Sequence, residues 1–341
     1  GAVMDRLGAR RVTTAMAVTA GILVMLYPLV PSIGGMLGMQ VIVGFLHLAC
    51  WIGAQALVGR MTKGAPDMMG RFTFLTTLGN FLGPLMAGLA WQYLGAWGAF
   101  GMVSLWSAAL VVTLFAVPKS LDAGAVAEMS IRDFIPRWAH YAAGFGLLRV
   151  PMIAYVIVVS AILAGVYAMR HTFLAVYLES INFSGGEIGF IVGSISLAGA
   201  FAGLAVGRLS RWMAPHWLVL AGTVLATVTF CLAPLFSGFW VLLAVACATG
   251  VCSGTAFPMI LSVLTRGAGT DQQGLSVGLR STMNRTASLT VPVAMGAIVG
   301  ATSLAIGFFI MGTIMVAIAG IMAIVLIGIL KRQAATPAPE E

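Results

Sequence analysis

The sequence predicts an all-α integral membrane protein that folds into two helical bundles. Of its 341 residues, 60% are hydrophobic and only 8% are charged, whereas about a quarter of the residues in a soluble domain are charged. The mean hydropathy of +1.03 indicates that lipid is the main solvent of the chain. This composition excludes an ordinary soluble enzyme.

Ten apolar runs are long enough to cross a bilayer, since a transmembrane helix needs about 20 mainly apolar residues. Short segments rich in Gly, Pro and Ser separate most of the runs, and such residues end helices. We therefore expect ten transmembrane helices. The runs are residues 13–30, 36–59, 72–92, 97–117, 152–178, 187–207, 217–236, 239–264, 276–298 and 303–330.

Positive charge is concentrated in alternate loops. Of the 18 Lys and Arg residues, Arg170, Arg280 and Arg285 lie inside spans; the other 15 all fall in loops on one side of the membrane. Cytoplasmic loops carry such an excess. We therefore expect a multi-pass protein of the plasma membrane (the cytoplasmic or inner membrane) with a cytoplasmic linker and C-terminus. Topology thus accounts for the net charge of +8, and no nucleic-acid partner is expected.

A long polar stretch separates four apolar runs from six and divides the chain into regions. Its charges and lack of a long apolar run are typical of a connector between bundles. The expected regions are an N-terminal bundle at residues 1–117, a cytoplasmic linker at 118–150, a C-terminal bundle at 151–330 and a cytoplasmic tail at 331–341.

An internal repeat relates the two bundles. The loop Asp67-Met68-Met69-Gly70 is echoed by Asp271-Gln272-Gln273-Gly274, and Pro84-x-x-x-Gly88 is echoed by Pro292-x-x-x-Gly296. Both copies start in a cytoplasmic loop and run in the same direction, which indicates a parallel repeat. A second half of six spans predicts six in the first half, so we expect that two helices are missing from its start.

The opening residues resemble the signature loop between the second and third spans of major facilitator superfamily transporters, G-x-x-x-D-R-x-G-x-R-R. Every fixed position matches: Gly1, Asp5, Arg6, Gly8, Arg10 and Arg11. The resemblance implies the major facilitator fold, with two parallel-repeat six-helix bundles, of which the first lacks two helices here. It also implies that the loop is a conformational latch between the halves. Alternatively, its arginines only set the orientation in the membrane.

A second motif is similar to the fifth-span pattern of antiporters in that superfamily. It comprises Gly70, Gly79, Gly83, Pro84 and Gly88. The glycines flatten one helix face so that another backbone can approach, and the proline frees a carbonyl. Generic helix packing is the alternative interpretation, because other spans carry glycines at the same spacing. The fourth span departs from the family, since Gln40 stands where some exporters have a basic residue.

Polar residues inside the spans are the best candidates for a site, because ionisable groups at membrane depth are costly and usually face a cavity or a partner. Such an arginine needs a counter-anion. Either an anionic substrate supplies it, or an acid on a missing span does so and carries the proton. The expected midplane cavity comprises Arg170, His171, Asn284, Arg285, His47, Trp51, Gln55 and Asn80.

The leading hypothesis is a secondary active transporter of small organic solutes that works by alternating access, through proton-coupled antiport or efflux. One alternative is uptake of organic anions or metabolites by symport; another is a non-transporting sensor or scaffold. Motifs of metalloproteases, P-loop proteins and serine hydrolases are absent, so no enzyme activity, metal or cofactor is expected. The expected partners are a small-molecule substrate (anionic in one interpretation), protons and the lipid bilayer, with the protein a monomer.

Overall fold

The computed structural model describes residues 9–62, 66–118, 146–267 and 273–335. Within these ranges every regular element is a helix and no strand occurs. The predicted latch residues Gly1, Asp5, Arg6 and Gly8, most of the linker and the last residues of the tail lie outside the described residues.

Ten α-helices follow one another along the described chain. Helices suit these apolar sequences because each backbone N–H is bonded within its own segment, which lipid cannot do for it. The elements are α1 (Ala9–Met25), α2 (Ile33–Thr62), α3 (Pro66–Ala116), α4 (Pro151–Met169), α5 (Ala175–Ser180), α6 (Gly185–Leu209), α7 (Pro215–Cys231), α8 (Phe239–Gly267), α9 (Gln273–Ala301) and α10 (Leu304–Ala335).

Eight stretches of the described chain are long and apolar enough to cross a membrane, so the protein is a multi-pass membrane protein. The predicted number of ten differs at two places. Helix α9 has the length of a span but is more polar, because it carries Arg280, Asn284 and Arg285. Helix α3 has 51 residues, about twice what one crossing needs. The number of spans stays a prediction.

A break at Gly95 divides α3 into two segments, residues 66–94 and 96–116. Gly95 has φ 63° and ψ −154°, a conformation open to glycine because it lacks a Cβ atom. A Cβ atom on Gly98 would collide with the carbonyl of Ala90, so the chain turns tightly here. The two segments therefore correspond to the third and fourth predicted spans.

The helix that begins at Pro151 changes its winding once. After α4 the chain makes a π-helical turn over Arg170–Leu174 and continues directly as α5. One wide turn of this kind inside an α-helix often marks a functional site, because it redirects the side chains that follow. The turn starts at an arginine that the sequence singles out.

The chain divides into two compact units, Gly1–Asp133 with Ser184–Phe190, and Phe134–Phe183 with Ile191–Glu341. In the first unit α1 packs against α2 and α3. Val12, Leu57 and Leu114 form an apolar core there. The hydroxyl of Ser104 donates to the carbonyl of Gly21 at 2.7 Å.

In the second unit α4 is the central helix and packs against α7, α8, α9 and α10. Its inward side chains are fully buried, as Tyr155 and Met169 show. Gly165 lies beside Val291 of α9 and Met315 of α10, so glycine is needed for this approach. Helix α4 is therefore the scaffold that positions the polar residues described next.

Candidate functional site

Arg170 is the most buried charged residue among the described residues. Only 7% of its surface is exposed. It lies about 7 Å beyond the middle of the membrane-length helix Pro151–Ser180, at 1.5 Å of rise per residue. A lone charge at this depth is unfavourable unless other groups compensate it.

Two aromatic side chains surround the guanidinium group of Arg170. Its Cζ atom lies 4.5 Å from the centre of the Tyr167 ring, and its Nη2 atom is 3.2 Å from Nε2 of His171. The two rings lie 4.4 Å apart and are tilted by 54°. A guanidinium only donates hydrogen bonds, so His171 accepts through Nε2 and is a neutral imidazole with its proton on Nδ1.

These partners leave the charge of Arg170 incompletely compensated. Its Nε atom is buried and has no hydrogen-bond partner, and Arg170 forms no ion pair with any described residue. A buried donor without a partner costs about 1–3 kcal/mol, and more when it is charged. Both rings reach the surface, with Tyr167 54% exposed and His171 also exposed. Among the described residues, the site is therefore a buried cation without a counter-anion.

A second polar contact joins α4 to α9 at another level. The hydroxyl of Ser160 donates to Oδ1 of Asn284 at 3.0 Å, and Ser160 is buried. Arg285 follows Asn284 and is exposed. This contact and that of Gly165 with Val291 show that α4 and α9 run in parallel.

The predicted cavity residues of the second unit therefore lie at two levels. Arg170 and His171 are together, and Asn284 and Arg285 are together. Arg170 follows Ser160 by ten residues, or about 15 Å along the helix axis. A single small group does not span that distance, so one such group cannot contact both levels at once.

Sequence reasoning missed Tyr167 and Ser160. Tyr167 stands four residues before His171, a spacing that places two side chains on one helix face, and this signal was available. Ser160 carried no signal, because a serine inside an apolar helix commonly bonds its own backbone. Arg280 is half-buried with its Cζ atom 6.0 Å from the centre of the Phe257 ring, and its Nε atom also has no partner.

The polar stripe that the sequence predicts on α2 is open along its whole length. Gln40, Gly44, His47, Trp51 and Gln55 are all exposed. A Cβ atom on Gly44 would meet nothing within 4 Å. An exposed face with two amides and an imidazole is costly against lipid, so it suits contact with water or a polar solute.

Aromatic and amide groups along this stripe are held by neighbours in the first unit. Trp51 is 47% exposed, and its ring centre lies 6.1 Å from that of Phe72. The hydroxyl of Tyr27 donates to Oε1 of Gln40, which leaves the amide N–H₂ of Gln40 to donate elsewhere. Asn80 of α3 is exposed as well. The first unit thus presents the Trp51 ring, which packs on Phe72, and the amide N–H₂ group of Gln40 as a hydrogen-bond donor.

Part of the glycine motif lies at a close backbone approach. A Cβ atom on Gly88 would collide with the backbone of Gly185, and one on Gly189 with the carbonyl of Pro84. Gly79 and Gly83 have nothing within 4 Å, and Gly70 lies in the first turns of α3. The contact is confined to the end of the motif that holds the proline.

Arg10, a described member of the predicted latch, reaches a helix end. Its Nε atom donates to the carbonyl of Leu114 at 2.8 Å, and its Nη2 atom to that of Phe115 at 3.4 Å. The last carbonyls of a helix have no partners within the helix and favour a cation. Arg10 therefore caps α3, and Arg11 beside it is exposed.

Comparison with known proteins places this architecture in a family. The model of the Major Facilitator Superfamily matches residues 1–216 and 156–341, which together cover the chain. No curated protein sequence matches it. Among solved structures, the nucleoside transporter NupG, in a point-mutant form, has a TM-score of 0.80 at 15% identity, over 95% of this chain and 85% of that one.

Two further solved structures share the fold. A POT family transporter in complex with a thioalcohol-conjugated peptide has a TM-score of 0.70 at 13% identity, over 95% of this chain and 83% of that one. A bacterial homologue of the human lysosomal transporter Spinster has a TM-score of 0.68 at 14% identity, over 96% of this chain and 84% of that one. Identities this low show the fold alone.

The family match and the shared fold confirm two predictions, the all-α major facilitator fold and the absence of an enzyme function. Such a protein moves a small molecule through the lipid bilayer in which it lies. The chain is a membrane transporter and belongs to the Major Facilitator Superfamily.

Proposed function

We propose that the protein is a secondary active transporter that moves small organic solutes across the plasma membrane by alternating access. In this proposal the linker and C-terminus are cytoplasmic, and the protein works as a monomer. The coupling ion is the proton, and the leading mode is antiport, with the solute exported.

One observation supports solute transport above the others. Arg170 is buried at membrane depth with an unpartnered Nε atom and no ion pair within the described chain. A protein that only sensed or scaffolded would gain stability by replacing such a charge with an apolar side chain. Its presence is explained if a solute supplies the missing interaction during transport.

The antiport mode is supported by the motif at the end of the first α3 segment. Pro84 and Gly88 lie against the backbones of Gly189 and Gly185, as expected if these glycines allow helices to approach closely. A tight, smooth contact of this kind can stay closed to protons and ions while the rest of the protein moves.

Uptake of organic anions by symport is the second candidate, and Arg170 favours the anionic substrate that it shares with anion export. A cell exports and imports anions, so the charge does not define direction. The named substrates of the similar structures, nucleosides for NupG and a peptide for the POT family member, are polar organic solutes. The half-exposed ring of Trp51 suits a solute with a flat ring, since stacked rings attract one another.

Flux in proteoliposomes tests the proposal. The purified protein is reconstituted, a pH gradient is imposed in either direction with the potential clamped by valinomycin and potassium, and a panel of organic anions, cations and neutral solutes is followed. Solute that moves against the proton flow indicates antiport, and solute that moves with it indicates symport.

Two controls complete this experiment. A protonophore must abolish the flux, and Arg170→Ala and Arg285→Ala show which polar level of the second unit serves it. If no solute in the panel responds to the gradient, proton coupling is wrong. If no solute crosses the membrane at all, the result contradicts solute transport and favours the sensor or scaffold alternative.

A further inference from the structure

The guanidinium group of Arg170 has one edge that is only half used. Nε and Nη2 lie side by side on this edge and point their hydrogens in the same direction. Nη2 donates to His171 at 3.2 Å, while Nε has no acceptor. A neutral imidazole offers one lone pair, so it cannot serve both donors.

A carboxylate has the shape that complements this edge. Its two oxygens accept two parallel hydrogen bonds from a guanidinium, and such pairs are stronger than bonds between neutral groups. The ring of Tyr167 covers the face of the guanidinium at 4.5 Å. Stacking of this kind leaves the N–H groups free, because they lie in the plane of the group.

We propose that the Nε–Nη2 edge of Arg170 is the recognition site for the carboxylate of an organic-anion substrate, and that His171 is a placeholder that the carboxylate displaces. This inference rests on the proposed transport function and names its substrate class. His171 and Tyr167 are both exposed, so the placeholder can move away without disturbing the buried core.

The π-helical turn supports this assignment. It begins at Arg170 and includes His171, so the two residues meet at a local change of winding and not in a regular helix. In a regular helix, neighbours in sequence point about 100° apart. At this wide turn the side chains of Arg170 and His171 lie within hydrogen-bonding distance of each other, and turns of this kind are frequent at functional sites.

A binding experiment tests the inference without a gradient. The protein is labelled with [¹⁵N]histidine and purified in detergent; its four histidines give a simple spectrum, in which His171 is assigned from the His171→Gln variant. Sodium formate, the smallest carboxylate, is titrated against sodium chloride at equal ionic strength. We expect formate, and not chloride, to shift the Nε2 resonance of His171 and to raise the melting temperature.

Two variants separate recognition from folding. Arg170→Lys keeps the charge but lacks a planar two-donor edge. The protein should still fold, and the formate concentration that gives half of the maximal shift of the His171 resonance should rise at least tenfold. Arg149→Gln removes an exposed arginine in the turn before the same helix and should leave the response unchanged. An equal response of the Arg170→Lys and wild-type proteins, or an equal effect of chloride and formate, would overturn the inference.

The source of the carboxylate-like group is also tested. Phosphatidylglycerol is added to the detergent at increasing mole fraction in place of formate. If this lipid shifts the His171 resonance and formate does not, the edge holds a lipid phosphate and the substrate assignment is wrong. Since no transport is measured, the inference can fail while gradient-driven flux succeeds, and the two failures are distinguishable.

Discussion

The two units hold their polar residues in opposite ways. In the second unit Arg170 and Ser160 are buried, and each contacts a neighbouring polar side chain, His171 and Asn284 respectively. In the first unit His47, Trp51 and Gln55 lie on an open face. In the proposed transport function, the second unit supplies a pre-positioned charge and the first unit supplies an adaptable surface. Each prediction below changes one side of this comparison.

Replacement of Arg170 should have the largest effect, and in opposite directions for function and stability. Arg170→Met fills the same space without a charge, so we expect transport to fall at least tenfold. Removal of an uncompensated buried charge should stabilise the fold by about 1–3 kcal/mol, measured as a higher melting temperature in detergent. Loss of stability in this variant would show that Arg170 is a structural residue, and the comparison would lose its charged side.

The second-largest effect is expected at close helix contacts that glycine allows, and each unit contains such a contact. Gly88→Val in the first unit and Gly254→Val in the second each place a branched side chain against a backbone. We expect each to destabilise the protein by about 1–3 kcal/mol through overpacking. Gly320→Ala is the control, since a Cβ atom there meets nothing within 4 Å. If Gly88→Val were as stable as the control, the close approach at Gly185 would be wrong.

The open stripe of the first unit is tested at Trp51. Because the ring is half-exposed and supported by Phe72, Trp51→Ala should affect solute binding more than stability. Loss of one stacking contact is worth about 0.5–1.5 kcal/mol, so KM for a ring-bearing solute should rise by about two- to tenfold. Trp51→Phe should restore most of the affinity. An unchanged KM in Trp51→Ala would remove this residue from the solute path.

The smallest effect is expected at the contact between Ser160 and Asn284 in the second unit. Ser160→Ala removes the hydrogen bond to Asn284, which should lower the free energy of unfolding by about 1 kcal/mol. Since this contact lies about 15 Å from Arg170 along the helix axis, the preference for anionic over neutral solutes should not change. A changed preference would show that the two levels act on one solute together.

Most of the fold could be predicted from the sequence, because lipid allows only apolar helices and the length of a span is set by the bilayer. The break at Gly95 falls between the third and fourth predicted spans, whereas the polarity of α9 leaves the number of spans a prediction. The family could be predicted because the loop from Gly1 to Arg11 is specific, and the family match confirms it.

The arrangement of the site could be predicted only in part. Periodicity shows which residues share a face of one helix, as it does for Gln40, His47 and Trp51. It contains no information about how two helices are shifted along each other. The sequence therefore predicts Arg170 and Arg285 in one cavity, although the two residues lie at different levels. The placeholder role of His171 depends on a π-helical turn, for which the sequence has no known signal.

The central claim is that Arg170 makes this a transporter of organic anions, and flux of matched solutes tests it most directly. Proteoliposomes under one imposed pH gradient are supplied with benzoate or with benzamide, its neutral isostere, and the flux into protein-free liposomes, which includes passive diffusion of benzoic acid, is subtracted from each. We predict gradient-driven movement of benzoate well above that of benzamide, and loss of this difference in Arg170→Lys but not in Arg149→Gln. Equal movement of the two solutes, or movement of neither, would contradict the claim.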